Sequence, residues 1–174
     1  MAAEEKKCGD EEALEIEVRC PTVPRVLALL RGLAKGLADE AGFDQAEIAE
    51  IEMAVDEACA NVINHAYKHL SEDDRIALIR NWSADTPPPV NPKRAMIKLQ
   101  VFVSEEMIRF KVIDYGVGID NMPKGVDSVD EYLDKGAKGG LGTYIIKNFM
   151  DEVTYECPRD RGTVLTMTRY RRQD

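Results

Sequence analysis

Residues 57–67 read Glu-Ala-Cys-Ala-Asn-Val-Ile-Asn-His-Ala-Tyr, and the placement of this stretch decides the architecture. Ile48, Ile51, Val55, Ala58 and Val62 recur at the spacing of one buried helical face that runs into it. A second stripe, Glu57, Asn61, Asn64 and Lys68, keeps the same period and is polar. Such a stripe is usually a wet face. Here a carboxylate and a short amide lie one turn apart on the margin of the buried side, where chemistry is possible. Asp44 and Glu47 read as a capping box, so the helix is expected from Gln45 to about His69.

Toward the N-terminus, Gly42 ends an earlier helix whose inner face is Val26, Leu30, Leu33 and Leu37. Thr22 is expected to cap it, with Pro24 in the opening turn. A strand precedes it, with Leu14, Ile16 and Val18 alternating with Glu15 and Glu17. Residues 1–12 carry seven charges and almost no apolar surface, which predicts a disordered acidic tail; 13–174 then form one domain.

Toward the C-terminus, strands are expected near Arg75–Trp82 and through Ile97, Leu99, Val101 and Val103. Another runs through Ile108, Phe110 and Val112. Prolines make Ser83–Arg94 an extended loop, and the glycine-rich stretch 115–139 reads as a lid. A helix begins near Gly142, with Ile145, Ile146, Phe149 and Met150 inward. Strands Val153–Cys157 and Thr163–Arg169 close the chain, and Arg159, Arg161, Arg169, Arg171 and Arg172 read as a solvated strand edge. The order predicts an α+β two-layer sandwich, a mixed sheet with helices on one face.

Composition narrows the function. The net charge is −9, with 23 Lys and Arg against 32 Asp and Glu, which disfavours direct nucleic-acid binding. The longest apolar run, Val26 to Leu30, is five residues, so no bilayer span is expected, and the charged N-terminus does not read as an export signal. Cys8, Cys20, Cys59 and Cys157 are scattered, which suits reduced thiols in a cytoplasmic protein rather than a zinc site.

Three segments carry chemistry: Glu57 to Asn61; Asp114-Tyr115-Gly116-Val117-Gly118 at a strand end; and Gly139-Gly140-Leu141-Gly142-Thr143 opening a helix. Each alone has an ordinary explanation as surface, turn or joint. Together they suit a nucleotide. Backbone N–H groups at the third segment can cradle phosphates. Asn61 can supply one oxygen to Mg²⁺, which otherwise takes triphosphate oxygens and water. Glu57 can accept a proton from an attacking hydroxyl or water. Asp114 can accept a hydrogen bond from the exocyclic amine of adenine, where guanine presents a carbonyl. Gly116 and Gly118 leave room for the ring.

The segments EACANVINHAY, DYGVG and GGLGTYIIKNFMDEV resemble the N, G1 and G2 boxes of the GHKL (Bergerat-fold) ATPases. The compact arrangement looks like the anti-sigma factor serine kinases (RsbW-type), and Arg161-Gly162-Thr163 with Val164 to Met167 is similar to their final strand. The resemblance runs from about Leu14 to Tyr170 and implies a histidine kinase-like ATPase domain. It implies Glu57 as general base, Asn61 as Mg²⁺ ligand and Asp114 as adenine reader. Gly116, Gly118, Gly140 and Gly142, with Leu141 and Thr143 between and after them, would bind nucleotide, and Thr163 would lie near the adenine pocket. ATP and Mg²⁺ are the implied cofactors; a sigma factor, a STAS-type anti-sigma factor antagonist and a second copy of the chain are the implied partners. The Pro-rich loop is longer than usual for the family, and the acidic tail matches no motif.

Rival readings fail on spacing. Asp114-Tyr115-Gly116 is superficially like a eukaryotic kinase DFG, but only 15 residues lie between it and Lys98. No GxxxxGK[ST] occurs. His65 and His69 lie on the candidate site helix, and each reads as a structural histidine rather than a phosphoacceptor. The expected activity is serine/threonine kinase and anti-sigma factor. The alternative is a nucleotide-dependent protein-binding regulator with little or no kinase activity.

Overall fold

The computed structural model describes residues 14–68, 70, 71, 73, 95–116, 140–157 and 162–172. Chain order is β1 (Leu14–Pro21), a 3-10 turn (Pro24–Val26), α1 (Leu27–Glu40), α2 (Gln45–Asn61) and a π turn (Val62–Ala66). Then come β2 (Met96–Val103), β3 (Met107–Asp114), α3 (Gly140–Phe149), β4 (Glu152–Glu156) and β5 (Val164–Tyr170). The strands form a five-stranded sheet, β1-β2-β3-β5-β4. The mixed sheet expected from the element order is antiparallel in each described ladder. Helices cover one face, giving the α+β two-layer sandwich. The expected strand at 75–82, the Pro-rich loop and 117–139 of the expected lid lie outside the described residues. No described helix is long and apolar enough to cross a membrane.

Local chemistry explains the helix ends. Asp44 Oδ1 accepts the amides of Ala46 and Glu47 at 2.8 Å each, and Glu47 Oε2 accepts that of Asp44 at 3.2 Å. This reciprocal box satisfies donors that no earlier turn can reach. At the end of α1 the Phe43 amide donates to Ala38 and the Gly42 amide to Asp39, a Schellman pair made possible by φ +79° at Gly42. Buried Phe43 and Ala38 supply the hydrophobic contact that accompanies this motif.

Thr22 does not cap the first helix. Its amide and hydroxyl both donate to the Ala95 carbonyl, at 3.1 and 3.2 Å, and it is fully buried. The β1–β2 ladder ends at Pro21↔Met96, and Thr22 carries that attachment one step further.

The core lies between the layers. Ile48, Ile51, Val55, Ala58 and Val62 are all buried, as are Leu99, Val101, Ile108, Phe110 and Val112 from the sheet. Ile146 and Met150 bring α3 into the same cluster, while Ile145 and Phe149 are half-buried. Two expectations need correction here. The second helix stays α-helical only to Asn61; the π turn replaces the α-helix expected to continue toward His69. Arg169 is not at a solvated edge. It is 5% exposed, and its guanidinium meets Glu50 at 2.8 Å, Asp151 at 3.5 Å, Glu47 at 3.7 Å and the Phe149 carbonyl at 3.2 Å. A cation facing the core is held by carboxylates from α2 and from Asp151, two residues past α3, and by the carbonyl end of α3.

Candidate functional site

Glu57 and Asn61 lie one turn apart on α2, both half-buried. The first turn of α3 crosses over them. A Cβ added to Gly142 would stand 2.5 Å from Glu57 Oε2 and 3.7 Å from Asn61 Nδ2. The helix therefore rides directly on the acid, whose carboxylate would have to move aside for any side chain at position 142, and lies in ordinary contact range of the amide. Gly140, Leu141, Gly142 and Thr143 form that turn, and α3 begins two residues before the expected Gly142. The first amides of a helix have no intrahelical acceptor and carry the positive end of its dipole. The structure thus gathers a carboxylate, a carboxamide and the N-terminal N–H groups of a helix in one place.

Asp114 ends β3 and is 3% exposed. Its Oδ1 accepts the Gly116 amide at 2.8 Å, its own amide donates to the Thr163 carbonyl at 3.0 Å, and the Thr163 side chain also hydrogen-bonds it. Burial raises its pKa above the usual carboxylate value, while the bonds from Gly116 and Thr163 oppose the rise. Such a group is an acceptor held in one orientation by its neighbours.

Two residues that sequence reasoning passed over hold this turn. Gly162 has φ +74°, and a Cβ there would overlap the Asp114 carbonyl and stand 2.5 Å from its Oδ1. It sits beside Thr163 in the sequence, but its contact with Asp114, 48 residues away, leaves no mark in the letters. Tyr67 is fully buried, and its hydroxyl accepts the Tyr115 amide at 2.8 Å and donates to the Met96 carbonyl at 3.2 Å. Burial pushes its pKa well above the ordinary phenol, so the hydroxyl keeps its proton. Gly116 abuts the Ala66 carbonyl so closely that a Cβ would overlap it. The space expected there for a ring is occupied, on that side, by the protein's own backbone.

All three segments therefore meet along the C-terminal half of α2 and the π turn that follows it: Gly142 against Glu57 and Asn61, and the Asp114–Gly116 turn against Ala66 and Tyr67. Thr163 joins them through Asp114. Asn64 and His65 are exposed. Gly118 and His69 lie outside the described residues. Among the described residues no three of His, Cys, Asp and Glu gather as a metal site. The donor set suits a metal that brings most of its oxygens with a phosphate ligand, as Mg²⁺ does.

Residues 20–169 match the family model described as histidine kinase-like ATPase domain. Curated relatives named serine-protein kinase RsbW include three from different Bacillus species. That of Bacillus licheniformis is 29% identical over 159 residues, covering 89% of this chain and 84% of the relative. That of Bacillus subtilis is 28% identical over 159 residues with the same coverage. That of Bacillus cereus is 27% identical over 158 residues, covering 90% of this chain and 84% of the relative. With its sheet, helices and converging segments already in place, the chain belongs to the histidine kinase-like ATPase domain family.

Proposed function

We propose that the protein binds Mg·ATP at the meeting of α2, the β3 turn and α3. We propose further that it is a serine/threonine kinase and anti-sigma factor acting in the cytoplasm, one that phosphorylates a STAS-type antagonist and binds a sigma factor as a homodimer. The observation that carries the reading is the seat of Gly142 on Glu57 and Asn61. The names of the relatives support the kinase activity.

In this reading the α3 amides from Gly140 to Thr143 donate to phosphate oxygens. Asn61 offers its side-chain oxygen to Mg²⁺, which when bound neutralises charge on the triphosphate. Asp114, with Thr163 beside it, accepts from the adenine amine, and Gly116 and Gly118 shape the turn around the base. Glu57 takes the proton from a serine hydroxyl of the partner. The serine oxygen forms its bond to the γ-phosphorus as the bond to the bridging oxygen breaks, and ADP leaves.

Radiolabel transfer from ATP to a serine-bearing antagonist tests this. Wild type should label the partner. Glu57→Gln should lose roughly 100-fold or more of the rate, the scale of a lost general base, while ATP affinity is retained. Binding of partner without any transfer by wild type would leave a nucleotide-dependent regulator instead of a kinase.

A further inference from the structure

We propose that Tyr67 is a positioning residue for nucleotide selection, its hydroxyl acting as a wedge that turns the chain out of the sheet at Asp114. This rests on the reading of Asp114 as the acceptor for the base. The ladder between β2 and β3 ends at Ile97↔Asp114, and the next pair in that register is Met96 with Tyr115. Tyr67 places its oxygen between those two residues, taking the Tyr115 amide and giving its own proton to the Met96 carbonyl. The strands therefore separate immediately after Asp114 with both backbone groups satisfied.

The π turn brings the tyrosine there. Over Val62–Ala66 the helix takes an extra residue per turn, and Val62, Ile63, Ala66 and Tyr67 are buried while Asn64 and His65 stay exposed. The same turn puts the Ala66 carbonyl on Gly116, whose amide is the one Asp114 Oδ1 accepts. One segment thus grips both residues that follow Asp114: Tyr115 by its amide and Gly116 by contact. Without the hydroxyl, the Tyr115 amide and Met96 carbonyl either pair directly, drawing the turn back into the sheet, or stay unpaired at a cost of about 1–3 kcal/mol. Either outcome releases the Asp114 carboxylate from its orientation.

The test uses the full chain as wild type, Tyr67→Phe and Asp114→Asn, titrated calorimetrically with Mg·ATP and Mg·GTP. Wild type should prefer ATP, and Tyr67→Phe should lose about tenfold of that preference, one hydrogen bond's worth of discrimination. A tyrosine with a structural role alone would leave the ATP-to-GTP ratio unchanged, whether or not both affinities fell together, and that result overturns the inference. Asp114→Asn separates the two failures. If it also leaves the ratio untouched, the base-reading site itself is wrong and the inference falls with it; if it alone abolishes the preference, only the role of Tyr67 is refuted. Should Tyr67→Phe fail to fold, hydrogen exchange on the nucleotide-free wild type decides. The Tyr115 amide should be as protected as its β3 neighbours, and rapid exchange there contradicts the wedge.

Discussion

At the residue scale, the site is built by close approach. Gly142 lets α3 touch the acid and amide of α2, and Gly162 lets the segment before β5 press on Asp114. Gly162→Ala meets both a left-handed φ of 74° and the Asp114 carbonyl. It should destabilise the protein by more than about 1 kcal/mol, read as a lower urea midpoint. Asp114 itself bears a conflict between function and stability. Its raised pKa means that the native state holds this proton to higher pH than the unfolded chain does. Its contribution is therefore most favourable in acid and is lost as pH rises through the folded value. Asp114→Asn removes the buried charge, so the nucleotide-free variant should be more stable than wild type at pH 7, with the gap closing as pH falls from the raised folded value to the ordinary carboxylate range. A gap independent of pH would count against this account.

At the scale of elements, α2 is the shared wall: its first turns hold Arg169, its last turns hold Glu57 and Asn61, and its π extension holds the β3 turn. Arg169→Met leaves Glu47 facing the core without its nearest cation and frees the end of α3. Breaking a buried pair costs about 3–5 kcal/mol, and since Glu50 and Asp151 are more than a third exposed, roughly 2 kcal/mol is expected here. Chemical denaturation would measure it, and a loss below about 0.5 kcal/mol would contradict the tie. The elements differ in how far their letters disclose them. The capping box at Asp44 and Glu47 and the glycine stop at Gly42 are local chemistry, legible without any tertiary knowledge. The alternation in β2 and β3 is equally plain because one face of each is buried. Arg169 and Thr22 were illegible for the opposite reason, since their partners lie 119 and 73 residues away. The π turn preserves an apolar face while altering its period, so a regular helix pattern continues through it. In the candidate site the three segments and their order can be read, but not the contact of Gly142 with Glu57 or the wedge at Tyr67.

At the scale of the whole molecule, one core joins the sheet to α1, α2 and α3, so local probes should report a shared stability. Cys59 is fully buried on α2, Cys20 is half-buried on β1 and Cys157 is exposed. Burial pushes the Cys20 thiol up to about 11 and the Cys59 thiol higher still, which suppresses the reactive thiolate. Under native conditions a thiol reagent should modify Cys157 quickly, Cys20 slowly, and Cys59 only at the rate of global unfolding. Fast labelling of Cys59 would mean that α2 separates from the sheet on its own. Such independence would undermine a site whose components are spread over α2, β3 and α3. The central claim is that the start of α3, seated on Glu57 and Asn61, receives a triphosphate. Calorimetric titration of wild type and Gly142→Ala with Mg·ATP tests it most directly. Wild type should bind one nucleotide per chain, and the alanine, whose methyl would stand 2.5 Å from Glu57 Oε2 at the start of α3, should bind more weakly. No saturable binding by wild type, or equal affinity for the two proteins, would contradict the account.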